Sequence, residues 1–572
     1  MKQGRLNQSS ERRIGHILLE NGLITREQLK IALDENNSAR RNGQIKLLGQ
    51  TIVELGFVSE DKVSRVVAAQ AGVDHISIES WNVDKSAVVM LEPDSARRYQ
   101  ALPIGFEGDR MIVAMSDPND ILAIDDIRLI TGYEIKPVCV SASELKAAIE
   151  QYSRDTTTRE VEEDEEEEEG VSPTPTEEEE TVSVGKPAVQ LANMIMTQAL
   201  HDRASDIHIE PQEKSMRVRF RIDGVLHETM TPPYRLFPPL VSRIKVMAKM
   251  DIANRRIPQD GRTALKIDRK VIDFRVASLP TAHGEKLTLR LLDSSASLIT
   301  LPELGFPETQ LKLIRKMINT PHGCVLVTGP TGSGKTTTLY AALSELNQVE
   351  KHIITVEDPI EYRLAGINQV QVNPRAGLTF ATGLRSILRS DPDIVMIGEI
   401  RDRETAQIAV ESALTGHLVL STLHTNDSAG AMSRLNEMGV ESYLTASSVI
   451  AVLAQRLVRR LCNQCREEYT ISRDELLSTV PDFPLSKDEG KITLFKPVGC
   501  LRCSKTGYKG RQGVYELLIV SEKIKKLTLK HSSSAEIADA AVSEGMVSLR
   551  MDGLYKVKKG LTSLEEVLRV LA

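Results

Sequence analysis

The segment that most constrains this chain runs from Cys324 to Leu343. Cys324-Val325-Leu326-Val327 is an apolar run of strand length. It leads into Gly329-Pro330-Thr331-Gly332-Ser333-Gly334-Lys335-Thr336, and then into Thr337-Thr338-Leu339-Tyr340-Ala341-Ala342-Leu343, which has helical character. Strand, glycine-rich loop and helix in that order complete the pattern G-x-x-x-x-G-K-[ST]. Gly329, Gly332 and Gly334 let the backbone curl so that successive N–H groups face phosphate oxygens, and the helix N-terminus adds its partial positive charge. Lys335 can bridge the outer phosphates and Thr336 can hold Mg²⁺. Gly329, Pro330, Thr331, Gly332, Ser333, Gly334, Lys335, Thr336 and Thr337 are therefore the expected phosphate-binding set, and ATP the expected ligand.

Three later segments have spacings suited to a parallel sheet whose strand ends converge on the nucleotide. Ile353-Ile354-Thr355-Val356-Glu357-Asp358-Pro359-Ile360-Glu361-Tyr362 is a strand running into acidic residues. Hydrolysis needs a group that orients or deprotonates water, for which Glu357 and Glu361 are candidates. Asp393-Ile394-Val395-Met396-Ile397-Gly398-Glu399 is an apolar run ending in Gly-Glu, a Walker B variant in which Glu399 would bind Mg²⁺ directly or through water. Thr415-Gly416-His417-Leu418-Val419-Leu420-Ser421-Thr422-Leu423-His424 places His417 and His424 at the two ends of a further buried strand, as candidates for phosphate sensing.

The chain has 572 residues, enough for three to four domains. Its net charge of −7 is local: thirteen acids and no Lys or Arg lie between 160 and 180, so the remainder carries +6. No apolar run approaches a membrane span, and Met1 to Ser10 lack the apolar core of a signal peptide. The expected location is cytoplasmic, with any membrane association made through partners. Four of the six cysteines form two Cys-x-x-Cys pairs, Cys462/Cys465 and Cys500/Cys503, with thirty-four residues between the pairs. In a cytoplasmic chain that set favours a closed, structural Zn²⁺ site over disulfides.

Upstream, residues 13–70 contain a repeat offset by 34: Gly15 and Gly49, Gly22-Leu23-Ile24-Thr25 and Gly56-Phe57-Val58-Ser59, Leu29 and Val63. Each copy reads as a helix, a glycine stop and a second helix, and Thr25-x-x-Gln28 has capping-box spacing. Residues 76–150 read as a small α/β unit packed on that repeat, the two making an N-terminal module over 1–152. Residues 153–186 are an acidic linker too polar to bury a core, which implies a module that moves relative to the rest. An α/β domain is expected over 187–304 and the nucleotide-binding domain over 305–572, including the cysteine segment 462–503. The basic run Arg456-Leu457-Val458-Arg459-Arg460 reads as a helix face with charged edges. Thr562-Ser563-Leu564-Glu565-Glu566 reads as the capping box of a last amphipathic helix packed on the motor.

The phosphate loop, the Thr355–Tyr362 acidic box, Gly398-Glu399 and the Thr415–His424 histidine box together resemble the four motifs of the secretion ATPases. Within that superfamily the chain is similar to the type II secretion and type IV pilus assembly ATPases. The likeness extends through Ala204-Ser205-Asp206-Ile207-His208-Ile209-Glu210, Pro258-Gln259-Asp260-Gly261-Arg262, Leu279-Pro280-Thr281 and the cysteines. It implies an α/β fold in which a RecA-like P-loop domain with a zinc-binding insertion follows a PAS-like α/β domain. It also implies a homohexamer clamping ATP between the two domains. Glu361 would act on water with Glu357 beside it, Glu399 would serve Mg²⁺, and Arg275 and Arg290 match arginines that reach the γ-phosphate. Read without the resemblance, those two arginines are strand residues in surface ion pairs. Implied partners are an inner-membrane platform protein and an adaptor of a pilus or secretion apparatus. The N-terminal repeat resembles a cyclic di-GMP module: Arg13-Ile14-Gly15 fits its first motif, while Leu47-Leu48-Gly49 lacks the arginine. Asn36 stands where Gln is favoured, and Gln70 is present in the second copy. The alternative readings are a P-loop nucleic-acid translocase, which the spread of positive charge disfavours, and a nucleotide-sensing scaffold with little turnover.

Overall fold

A computed structural model describes residues 14–41, 47–108, 110–157, 162–163, 182–267, 270–293, 299–486 and 489–571. The chain divides into two units, Met1–Ser295 and Ala296–Ala572. The first begins with the helical repeat: a helix over 14–20, then Arg26–Arg41, Leu48–Glu54 and Glu60–Ala71. Its core is Leu18, Ile24, Ala32, Leu48, Ile52, Val58, Val63 and Val66. The Thr25 capping box forms, with Gln28 N donating to Thr25 Oγ1 at 3.2 Å and Thr25 N to Gln28 Oε1 at 2.8 Å. The repeat glycines have a packing reason. A Cβ on Gly15 would lie 2.7 Å from Leu29, and one on Gly49 3.0 Å from Val63, so the equivalent helix crossing is tight in both copies.

A three-stranded sheet follows, with Ala101–Glu107 antiparallel to Arg110–Met115 and the latter parallel to Glu134–Cys139. The second half of the unit is an antiparallel sheet ordered Glu162–Glu163, Gln259–Ile267, Lys270–Thr281, Gly284–Asp293, Ala204–Pro211, Met216–Ile222, Val225–Met230. The helices Val182–His201 and Phe237–Met247 pack with it. Residues of the N-terminal module pack against this sheet within the same unit. One hydrophobic cluster runs from Ile78 to Leu289, and Arg235 donates to Thr131 O (2.8 Å) and Gly132 O (2.9 Å) while lying over the Tyr133 ring. Most of the acidic linker lies outside the described residues.

In the second unit a seven-stranded sheet is ordered Asn368–Gln371, Ile353–Glu357, Ile394–Ile397, Leu418–Leu423, Gly323–Thr328, Val449–Leu461, Tyr508–Ile519. Every pairing is parallel except the last. Cys324 and Leu326 enter the core on one face of the sheet and Val325 and Val327 the core on the other. Burial on both faces is why these strands read as unbroken apolar runs. The basic run 456–460 is part of the strand Val449–Leu461, not a helix. Its Leu and Arg content favours helix locally, but pairing with Tyr508–Ile519, as the continuation of a strand whose earlier residues also pair with Gly323–Thr328, overrides that preference. Between the two cysteine pairs stand a hairpin, Glu467–Ser472 with Lys491–Lys496, and the helix Arg473–Thr479. At the last helix only half of the expected box forms: Ser563 Oγ accepts from Glu566 N (3.2 Å), while the Glu566 carboxylate goes to Arg459 and Arg569. No helix among the described residues is long and apolar enough to cross a membrane.

Candidate active site

The strand Gly323–Thr328 is buried along its length and ends at the loop, after which the helix Lys335–Leu346 begins. Gly334 caps that helix at φ +86°, a left-handed conformation that costs any other residue. Lys335 is buried, and its ammonium donates to Gly329 O at 2.8 Å and Pro330 O at 3.1 Å. Burial pulls the ammonium down to about 8, with Glu399 opposing the fall and Arg456 adding to it. Ser333 Oγ is buried without a hydrogen-bond partner. A cradle of positive-φ glycines, a buried ammonium and an unsatisfied hydroxyl fits a polyphosphate.

Because the strands are parallel, their C-terminal ends share one edge. Thr328 is level with Leu423, so His424 lies at the loop's edge of the sheet. There Glu399 approaches His424 Nε2 at 3.4 Å and accepts from Arg401 Nη2 at 2.6 Å. Glu399, His424 and Lys335 are thus brought together, and Glu399 with the half-buried Thr336 is the oxygen pair that could hold Mg²⁺. Arg401 was not foreseen; the signal was its place two residues beyond Glu399 at a strand end. His417, by contrast, is level with the start of the loop strand, where its backbone carbonyl accepts from Gly323 N and its Nδ1 contacts Ser412 O at 3.0 Å. A six-residue strand puts its two ends about 20 Å apart, so His417 stands away from the loop.

The two acidic-box candidates separate as clearly. Glu357 is 2% exposed, and its carboxylate accepts from Tyr340 OH (2.5 Å), Thr355 Oγ1 (2.6 Å) and Gln369 Nε2 (3.0 Å). A carboxylate so occupied anchors its surroundings, its oxygens already taken by donors inside the protein. Glu361 is half-buried, and its N–H donates to the same Tyr340 hydroxyl at 3.4 Å. Burial and the Glu357 carboxylate keep the Tyr340 phenol protonated, far above its ordinary range.

In the first unit Arg290 donates to Asp206 at 3.0 Å. Arg290 pairs directly with Arg275 across two strands, and Arg275 with Arg262. Directly opposed residues share a face, so three arginines stand in a row; Arg262 entered the sequence reading as part of a motif and not as a γ-phosphate candidate. The four cysteine sulfurs lie within 4.8 Å of one another, with Cys462–Cys500 at 3.9 Å and Cys465–Cys503 and Cys500–Cys503 at 3.7 Å. Tetrahedral Zn–S bonds of about 2.3 Å imply sulfurs about 3.8 Å apart, so the residues fit that metal. Burial raises the Cys503 thiol, but N–H donation from Cys500 and Gly507 and its cysteine neighbours outweigh this and bring it to about 7. Gly15 and Gly49 sit in helix crossings, and Arg13 lies outside the described residues.

A family profile described as type II/IV secretion system protein matches residues 182–569, which is more than half of the chain. The chain belongs to the type II/IV secretion system protein family. A second profile, the MshEN domain, matches residues 71–159, downstream of most of the helical repeat. Among relatives of this secretion family, the type IV pilus assembly ATPase PilB of Myxococcus xanthus is 43% identical over 97% of this chain and 98% of its own length. The type II secretion system protein E of Xanthomonas campestris is 41% identical over 98% and 99%. The X-ray structure of the Yersinia pseudotuberculosis ATPase DotB covers 67% of this chain and 92% of its own, with a TM-score of 0.50 and 20% identity, a likeness of fold.

Proposed function

We propose that this secretion-family chain is a homohexameric ATPase that drives assembly of a type IV pilus or of the pseudopilus of type II secretion. The observation that carries the reading is the convergence of the phosphate loop, Glu399 and His424 at one edge of a parallel sheet, with Tyr340 tying the loop's helix to the acidic box. In this reading Gly329 to Thr337 hold the triphosphate and Lys335 neutralises its outer phosphates. Mg²⁺, held by Thr336 and Glu399, would supply charge neutralisation between phosphates. Glu361 orients or deprotonates the attacking water, and Glu357 fixes the strand end from which Glu361 is hung. Arg275 and Arg290 stabilise charge on the γ-phosphate.

The finer organisation belongs to the same proposal: a docking or regulatory module over 1–152, a PAS-like domain over 187–304 and a RecA-like motor over 305–572. Zn²⁺ on the four cysteines closes the segment 462–503, and the ring works at the inner face of the cytoplasmic membrane against a platform protein. Cyclic di-GMP is the ligand proposed for the N-terminal module. The test is steady-state hydrolysis by the full chain. Glu361→Gln and Glu399→Gln are each expected to lower kcat at least a hundredfold with nucleotide still bound. Hydrolysis unchanged in both overturns the assignment, and stimulation by DNA would favour a nucleic-acid motor.

A further inference from the structure

The strand Val449–Leu461 joins two features that the sequence kept separate. Midway along it, Gln455 is 1% exposed and turned toward the phosphate loop. Its amide donates to Ser333 O at 2.8 Å, and its oxygen accepts from Thr338 Oγ1 at 2.7 Å, so one side chain holds both the loop and the first turn of its helix. The approach is close enough to require two of the loop's glycines. A Cβ on Gly329 would fall 2.5 Å from Gln455 O, and one on Gly334 2.9 Å from Gln455 Nε2. Arg456 buttresses the same point, donating to Gln455 O (3.1 Å) and to Asn426 O (2.9 Å) just past His424.

The hydrogen bond to Ser333 O has a directional consequence. In a trans peptide the carbonyl and the following N–H point in opposite directions. Holding the Ser333 carbonyl on Gln455 therefore turns the Gly334 N–H away from Gln455. Seven residues on, the same strand enters the cysteine cluster, a run of roughly 23 Å. That far end is clamped: Arg459 N and Nη2 donate to the buried Glu566 carboxylate at 3.0 and 2.8 Å, Leu461 N to Leu561 O at 3.0 Å, and Cys462 N to Gly507 O at 3.0 Å. Between the two ends the strand stays paired along one side, from Gln455 opposite Tyr515 to Leu461 opposite Tyr508 with one irregularity between Arg459 and Leu461, so a displacement at the cluster is passed along that ladder toward Gln455.

We propose that Gln455 is a positioning residue for phosphate binding, setting the Ser333–Gly334 peptide so that its N–H serves the triphosphate, and that this setting depends on the closed cysteine cluster at the end of its strand. The inference rests on reading Gly329–Thr337 as the phosphate loop. Equilibrium binding of a fluorescent ribose-labelled ATP to the full chain, with Mg²⁺ present, tests it. Gln455→Ala and Thr338→Val are each expected to weaken binding about tenfold. Stripping Zn²⁺ from the wild-type chain with a chelator is expected to weaken binding several-fold, and to add nothing further in Gln455→Ala, since the link is already cut. Thr338→Val exchanges a hydroxyl for a methyl of the same shape, so it reads the contact even where Gln455→Ala fails to fold. Unchanged affinity in Thr338→Val overturns the positioning role. A chelation loss equal in wild type and Gln455→Ala, or no loss in wild type, overturns the link to the cluster. Lys335→Ala separates the two readings. If it leaves affinity intact, the phosphate-loop assignment itself falls; if it abolishes binding while the Gln455 and Thr338 variants bind normally, only this inference does.

Discussion

Tyr340→Phe removes a single oxygen from the interior of the second unit, and much depends on that oxygen. The ring is fully buried on the loop's helix and packs edge-on against Tyr362 with centroids 4.7 Å apart, an arrangement phenylalanine keeps. The hydroxyl donates to Glu357 Oε2 at 2.5 Å and accepts from Glu361 N at 3.4 Å. After the substitution Glu357 retains Thr355 and Gln369, both on Oε1, and loses its Oε2 donor inside the protein. A buried hydrogen bond to a charged acceptor contributes about 2 kcal/mol, and the acceptor left behind has no water to turn to. Stability should fall by about that amount. The main effect should be on the acidic loop, because Glu361 loses one of the contacts that hang it beside the helix. Displacing a catalytic group by an ångström costs roughly a hundredfold in rate, so kcat should fall ten- to hundredfold while KM for ATP stays near its wild-type value. Steady-state kinetics measures this, and hydrogen exchange on peptides spanning Ile353–Gln371 should show faster exchange around Glu361. A variant that loses stability but keeps kcat would refute the reasoning, since Tyr340 would then hold the core and not the catalytic loop.

Glu357→Gln and Glu361→Gln should diverge: the first lowers thermal stability, because it replaces an acceptor of three donors, while the second abolishes turnover and leaves the melting temperature near wild type. Affinity for ATP in the free protein should weaken as pH rises from about 7 to about 9, because Lys335, pulled down to about 8 by burial, loses its charge there; calorimetry in buffers of different ionisation heat would register proton uptake on binding above about pH 8. Removing Zn²⁺ by chelation should lower the melting temperature and speed proteolysis between Cys462 and Cys503, and cobalt substitution should give a tetrahedral tetrathiolate spectrum. Lys245→Ala should cost about 3–5 kcal/mol, since Lys245 and Glu285 form a nearly inaccessible pair at 2.9 Å and the carboxylate would be left buried; Lys245→Met with Glu285→Leu should recover much of the loss.

The sequence alone was sufficient wherever chemistry and chain order coincide. A glycine-rich loop between an apolar run and a helix can do little else than bind phosphate, because only that local geometry presents consecutive N–H groups. Two Cys-x-x-Cys pairs mark a candidate metal site whatever lies between them, and the described residues between the pairs include a hairpin and a helix. Apolar runs buried on both faces of a parallel sheet were equally plain. What the sequence left open was direction and register. His417 and His424 looked equivalent as the two ends of one strand, and only the parallel pairing with Gly323–Thr328 put one at the loop and the other about 20 Å away. By residue type alone Glu357 and Glu361 were two acids in one box, and only the family resemblance favoured Glu361. Which of them is buried depends on Tyr340, Thr355 and Gln369, and Tyr340 and Gln369 arrive from elements outside the box. The helix read over 456–460 was a strand because pairing with Tyr508–Ile519 outweighs local propensity, and Gln455 drew no notice because nothing local marks it. Short-range pattern determined the chemistry of this protein. Long-range pairing alone decided which of its acids, histidines and amides face that chemistry, since a side chain's partners are set by strands distant in sequence.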